Sequence, residues 1–240
     1  MKKTAFLSII IPAYNEQTRI ESTINEILRY FRQKAWRFQI TVVDDGSSDF
    51  TRVFIQKLAL KNREIKLIKH HTNQGKGKAV QTGIFSSPKA DFWLMVDADN
   101  STPIAQFSRL FKFAGDFDIV IGSRHLHNSQ IKIKQSWQRN ILSRASNWLV
   151  RQIVLPDFKD TQCGFKLFNK NCLKIFRQQQ INGFGFDIEI LALAKKLGLK
   201  IKEVPISWED KIGSKMTGKK ALIALFELFK IRARLGKIKN

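Results

Sequence analysis

The stretch Asp91-Phe-Trp-Leu-Met-Val-Asp-Ala-Asp99 decides how this chain folds. Its apolar run is too short for a core helix and reads as a buried strand. The run delivers two carboxylates, Asp97 and Asp99, to one exposed edge, because side chains at i and i+2 share a face of a strand. Two like charges placed together repel unless a cation, a proton or a basic partner intervenes. Ligands of open α/β sheets bind where such strands end, so a divalent metal is the economical partner for this pair.

Outward from this strand, short apolar runs alternate with helical stretches. The pattern predicts strands at 6–11, 39–43, 65–69, 91–96 and 118–121 in the first half, with helices at 18–33, 50–61, 76–86 and 103–113 between them. Asp49 is placed to cap the second helix, and Thr102 and Pro103 to open the fourth. The second half predicts a long helix at 137–155, a strand at 164–168, a helix at 186–197, a strand at 200–204 and a terminal helix at 219–235. This alternation implies an α/β fold whose mostly parallel central sheet carries helices on both faces. With no linker, repeat or low-complexity segment, residues 1–240 read as one domain.

Composition narrows the setting. A total of 42 Lys and Arg against 20 Asp and Glu gives a net charge of +22, which attracts nucleic acid, anionic lipid or phosphorylated substrates. Exposed aromatics interleaved with basic residues, or a helix-turn-helix pattern, would be needed for nucleic-acid binding. Neither is found, and acidic strand ends oppose that partner. The two cysteines, Cys163 and Cys172, fit neither a zinc site nor a disulfide framework and read as reduced thiols. No run has the length of a membrane span, and the apolar N-terminus reads as a first strand rather than a leader. The expected location is cytoplasmic, with peripheral contact at the cytoplasmic membrane face.

Three strand ends carry the chemistry: Pro12-Ala-Tyr-Asn-Glu16, Asp44-Asp-Gly-Ser-Ser-Asp49 and Asp97-Ala-Asp99. Each alone is weak, and Asp-Gly-Ser is a common turn. In this order they resemble the family 2 glycosyltransferases, which share the Rossmann-like GT-A fold. Gly122-Ser-Arg124, Arg139-Asn-Ile-Leu-Ser143, Asp160-Thr-Gln-Cys-Gly-Phe-Lys166, Phe186-Asp-Ile-Glu189, Glu203-Val-Pro-Ile-Ser-Trp208 and Gly213-Ser-Lys215 follow. That series resembles dolichyl- and polyprenyl-phosphate sugar synthases, most closely the dolichyl-phosphate β-glucosyltransferase branch, over roughly residues 6–230.

The resemblance implies an inverting hexosyltransferase that moves glucose from UDP-glucose to a polyprenyl or dolichyl phosphate. A mannosyl transfer from GDP-mannose, or a sugar or protein acceptor, is the alternative. It places Pro12, Tyr14, Glu16, Val43 and Asp45 around the donor nucleotide, and Asp97, Ala98 and Asp99 at its diphosphate. Mg²⁺ or Mn²⁺ would sit on Asp97 and Asp99, with Ser101 where some relatives add a third ligand. Arg124, Lys211 and Lys215 would add cationic contacts to the donor, and Arg139 and Ser143 would hold the acceptor phosphate, with Arg144 nearby. A lipid monophosphate is already largely dianionic near neutral pH, its second pKa being about 6, so it attacks without a general base. Cationic side chains offset the repulsion between the two anionic substrates.

Other features receive structural readings. Asn73-Gln-Gly-Lys-Gly-Lys78 lacks the Gly-Lys-Ser/Thr ending of a P-loop and reads as a helix entry, with Lys76 on phosphate the lesser option. His70 and His71 read as surface residues at a strand end, and His125 follows Arg124 toward the site. Asp187 reads as a cap or an acceptor-side carboxylate, and Asp160 as ordering the loop before Cys163. From Lys211 to Asn240 there are nine Lys and Arg against one acid, Glu227, with Leu222, Leu225, Phe226 and Phe229 at helical spacing. A basic amphipathic helix at about 217–236 therefore reads as an interfacial anchor on an anionic membrane surface, ahead of packing on the core. A membrane-embedded partner protein is a second route to the lipid.

Overall fold

The computed structural model of the chain describes residues 5–87, 89–133, 147–209 and 218–236. Strand β1 (Phe6–Ala13) runs parallel to β2 (Arg37–Asp44) on one side and to β4 (Phe92–Val96) on the other, and β3 (Ile65–Lys69) extends β2. Beyond β4 lie β7 (Phe165–Asn169), β5 (Ile119–Ser123) and β8 (Ile201–Pro205), giving the order β3-β2-β1-β4-β7-β5-β8. Strand β7 is antiparallel to both neighbours, so its first residue pairs with the last residue of β4, Val96 with Phe165. The carboxyl ends of β1, β2, β4 and β5 and the amino end of β7 therefore share one edge. A parallel pair of short strands, β6 (Gln130–Ile133) and β9 (Ser207–Glu209), stands apart and was not foreseen from sequence.

Side-chain alternation sorts the core into two layers. Leu7, Ile9, Ile11, Leu94 and Val96 face α1 (Ile20–Gln33), α2 (Thr51–Lys61) and α4 (Phe107–Phe111). Ile10, Trp93 and Met95 face α3 (Lys76–Phe85), α5 (147–153), α6 (Leu173–Gln178), α7 (Phe186–Lys196) and α8 (Gly218–Leu235). Helix α3 comes close to the sheet because Gly83 faces it: a Cβ there would lie 2.4 Å from Ile10 Cγ2. Both cysteines are free and buried, and burial pushes each thiol up to about 12, which makes them inert packing groups.

Sequence and structure differ chiefly at two helices. The segment predicted at 103–113 is a 3₁₀ turn (Ile104–Gln106) followed by the short α4, and Pro103 lies in extended backbone rather than at a first helical position. Helix α2 starts at Thr51 with Phe50, not Asp49, at its cap position, and Asp49 ties the preceding turn by accepting from the Thr51 N–H at 2.9 Å and from the Gln17 N–H at 3.2 Å. The terminal helix packs inward through Leu228 and Ile231, which join the core of the second layer. Glu227 accepts from the Gly185 N–H, and Arg234 bonds Glu189 and the Gln178 carbonyl. The face read as an anchor is thus partly core, while Phe226 and Phe229 stay exposed.

Candidate active site

The acidic pair lies beyond the strand that was expected to present it. Strand β4 ends at Val96, and residues 97–100 form a turn in which Asn100 adopts φ +55°. The two carboxylates are parted by this turn and given different neighbours, and the strand alternation rule no longer governs them. Asp97 points toward the α3 layer, where the Lys76 ammonium sits 2.7 Å from its Oδ1. Asp99 Oδ1 accepts from the Ser101 N–H at 2.9 Å. Thr23 of α1 holds the turn by donating to the Ala98 carbonyl at 2.9 Å.

Electrostatics separate the pair further. Burial pushes the Asp97 carboxyl up, but Lys76, Lys166 and Arg124 outweigh it and hold Asp97 below the ordinary value. Asp99 is raised by burial and by the neighbouring Asp97 charge. Among the described residues no basic side chain forms an ion pair with Asp99. Among the described residues Asp99 thus lacks the ion pair that Asp97 has, which suits a hard divalent cation with oxygen ligands. Two carboxylates and the buried Ser101 are the oxygen donors at the turn. They fit a metal whose remaining ligands are phosphate oxygens and water, the usual arrangement for Mg²⁺.

The segment Asp160–Lys166 acts on this edge from below. Asp160, fully buried, takes the Arg124 guanidinium in a bidentate pair at 2.7 and 2.9 Å and also accepts the Arg124 N–H at 2.9 Å. Burial opposes the Asp160 charge, yet Arg124 brings its carboxyl down to about 2. Glu203 of β8 in turn accepts from the Asp160 N–H at 2.7 Å, and Trp208 lies under the guanidinium at 5.4 Å. Arg124 is therefore fixed at the edge with its Nε and one terminal nitrogen committed to Asp160. Gly164 leaves the space that Asp97 occupies, since a Cβ there would stand 1.9 Å from Asp97 Oδ2. Lys166, fully buried, pairs with Asp187, which is neither a cap nor exposed to an acceptor.

On the β1–β2 side, Pro12, the last residue but one of β1, is buried and Tyr14 is half-buried. Asn15 joins the two loops, its N–H donating to Ser47 Oγ at 2.9 Å and its Oδ1 accepting from the Ser48 N–H at 2.9 Å. Glu16 is held by Arg19 at 2.8 Å, and its N–H donates to Thr51 Oγ1 at 2.6 Å. Val43 is wholly buried. The Asp45 carboxylate is taken up inside the protein by His70 Nδ1 at 2.7 Å and the N–H groups of Gln74 and Gly75 at 2.9 and 2.8 Å. His70 is therefore a buried partner of Asp45, not the surface residue its sequence position suggested; His71 is exposed. His125 meets Asn147 Nδ2 at 3.1 Å. Arg139, Ser143, Arg144, Lys211 and Lys215 lie outside the described residues.

Sequence reasoning undervalued Lys76, missed the Lys166–Asp187 pair and gave Gly164 no role. The Gly-Lys-Gly signal around Lys76 was visible, but only the fold brings it to Asp97.

The glycosyl transferase family 2 model matches residues 8–175. The chain belongs to glycosyl transferase family 2. It is 38% identical over 225 residues to a dolichyl-phosphate β-glucosyltransferase of Dictyostelium discoideum, covering 88% of this chain and 68% of the relative. To the enzyme of the same name from Saccharomyces cerevisiae it is 36% identical over 231 residues, 88% of this chain and 69% of that one. Among solved structures, the glucosyl-3-phosphoglycerate synthase of Mycobacterium tuberculosis in complex with Mn²⁺ and UDP-glucose superposes with a TM-score of 0.68. That match has 16% identity and covers 99% of this chain and 81% of that one. The fold is that of this glycosyltransferase class, and the protein is a glycosyltransferase.

Two predictions follow from the geometry. Gly164→Ala should push Asp97 from its place and lower turnover by about 100-fold, the order seen for ~1 Å misplacements, with circular dichroism showing the fold retained. Asp160→Asn should destabilise by roughly 3–5 kcal/mol, because it strands a buried guanidinium. Since the Asp160 carboxyl is lowered, its contribution is complete above the ordinary Asp value of ~3.9 and is lost as pH falls through about 2. Urea titration should therefore give a constant gap between wild type and variant from neutral pH to about pH 4, narrowing below it.

Proposed function

We propose that the protein transfers glucose, with inversion, from UDP-glucose to dolichyl phosphate or a related polyprenyl phosphate. The observation that carries this reading is the Asp97–Asp99 turn facing Lys76 and Arg124 at the carboxyl edge of the sheet. It combines a cation-deficient carboxylate pair with fixed positive groups, as a nucleoside diphosphate requires. The names of the relatives, dolichyl-phosphate β-glucosyltransferases, support the sugar and the acceptor.

Asp97 and Asp99 would hold Mg²⁺ or Mn²⁺, which supplies Lewis-acid neutralisation of the diphosphate leaving group. Binding of UDP-glucose and Mn²⁺ by the structural neighbour supports this cofactor and donor. Pro12, Tyr14, Glu16 and the loop after β2 border the nucleotide, while Asp45 works one step back by shaping residues 74–75. Arg124 faces the reacting phosphates from its cradle of Asp160 and Trp208. Arg139 and Ser143 take the acceptor phosphate, and Lys211 and Lys215 add donor contacts. An acceptor phosphate oxygen bonds to C1 as the bond from C1 to the diphosphate oxygen breaks, and the electron pair leaves with the nucleoside diphosphate. No proton changes hands, so no general base is required. Attack opposite the leaving group turns an α-linked donor into a β-linked product.

The lipid acceptor calls for membrane contact. No helix among the described residues is long and apolar enough to cross a membrane. We place the protein at the cytoplasmic membrane face through α8, whose Phe226 and Phe229 are 67% and 57% exposed beside Lys230 and Arg232. Aromatic rings next to basic residues suit an anionic interface.

The function is tested by incubating the protein and Mn²⁺ with UDP-glucose, UDP-galactose or GDP-mannose, each with dolichyl phosphate or 3-phosphoglycerate. UDP-glucose with dolichyl phosphate should give a β-linked glycolipid, and Asp99→Ala should abolish it; transfer only to 3-phosphoglycerate, or only from GDP-mannose, would overturn the reading. Phe226→Ser with Phe229→Ser should lower binding to vesicles containing anionic lipid by at least about tenfold without changing UDP affinity. These variants spare Leu228 and Ile231, whereas deletion of the helix would also remove core.

A further inference from the structure

Lys76 is presented with more care than a surface lysine needs. Ahead of it, the Gln74 and Gly75 N–H groups are pinned on Asp45, whose other partner His70 reaches Thr82 of α3 at 3.1 Å. Gly75 has φ +100°, and a Cβ there would stand 2.4 Å from the Asn182 carbonyl oxygen. Behind it, the Gly77 N–H donates to that same oxygen at 2.7 Å, and a Cβ on Gly77 would lie 2.5 Å from Phe186 Cβ. Both flanks of Lys76 are thus clamped between the end of β2 and the entry to α7. Its side chain is only 18% exposed, and its ammonium lies 5.9 Å from the Phe186 ring centre.

Among the described residues, the ammonium at the end of this arm has one ion-pair partner, Asp97 at 2.7 Å. Of the other carboxylates nearby, Asp187 is already paired with Lys166 and Asp99 faces the Ser101 N–H. A divalent ion taking Asp97 therefore meets a resident cation already seated 2.7 Å from the carboxylate oxygen. Metal arriving alone leaves a largely buried ammonium without its partner. A metal arriving with a nucleoside diphosphate brings new anionic oxygens for that ammonium.

We propose that Lys76 is an exchangeable counter-ion that couples metal binding to donor binding. It occupies Asp97 in the donor-free protein, opposes metal binding by itself, and passes to the diphosphate when metal and nucleotide enter together. The edge is thereby kept from holding a metal without its donor. This coupling rests on the proposed metal–nucleotide site. It is reciprocal by thermodynamic linkage: the factor by which UDP tightens Mn²⁺ equals the factor by which Mn²⁺ tightens UDP.

The test is Mn²⁺ binding, read from the electron paramagnetic resonance signal of the free ion, with and without saturating UDP. Wild type should bind Mn²⁺ weakly alone and at least about tenfold more tightly with UDP, within the usual range of coupling factors. Lys76→Gln should tighten Mn²⁺ alone by about tenfold and shrink the UDP effect correspondingly. Lys76→Arg, which keeps the charge, should behave like wild type, separating charge from packing. If Lys76→Gln binds Mn²⁺ alone no more tightly than wild type, or keeps the full UDP effect, the counter-ion role is wrong while the metal–nucleotide site stands. If wild type binds no Mn²⁺ even with UDP, that site fails and the coupling with it.

Discussion

The ion pair between Lys76 and Asp97 is the contact on which the working edge of this protein depends. A parallel sheet brings acidic strand ends together, and the Asp97–Asp99 turn concentrates two carboxylates within three residues. Left alone they would repel, and one would take up a proton. Lys76 pairs with the first, while the second, Asp99, is raised by burial and by the Asp97 charge beside it.

Much of the surrounding structure serves that balance. Gly164 opens space for Asp97 because the antiparallel β7 begins beside the end of β4. Lys166 and Asp187 neutralise each other in the core behind Lys76. Asp160 fixes Arg124 through two parallel bonds, and Glu203 fixes the backbone of Asp160. A single short segment, Asp160–Lys166, thus supplies an anchor for arginine, room for a carboxylate and a buried cation. Its residue types are dictated by three separate demands met within one loop and strand.

The parallel sheet and its acidic edge were legible in the sequence because apolar strands of five residues, acidic termini and intervening helices are local patterns. The strand at 65–69 and the start of α7 fell where periodicity put them. The short β6–β9 pair was invisible because its pairing joins residues far apart in the chain. Helix α4 came out shorter because Pro103 keeps extended backbone and delays the first turn. Within the site, residue types pointed to Asp97 and Asp99, but the turn that parts them depends on Thr23 and Ser101. The burial of His70 against Asp45, and the reach of Lys76 to Asp97, depend on how α3 crosses the sheet. Such relations are set by packing, not by spacing along the chain. The amphipathic reading of α8 divided for the same reason: Leu228 and Ile231 found the core, while Phe226 and Phe229 face outward.

The most direct test of the central claim is anomalous diffraction from crystals grown with Mn²⁺ and UDP. A single strong manganese peak should lie at ligand distance from Asp97 and Asp99 and from the UDP diphosphate, with the Lys76 ammonium moved from Asp97 to a phosphate oxygen. Manganese bound elsewhere, or UDP seated at the edge with Lys76 still on Asp97 and no metal beside it, would contradict the account.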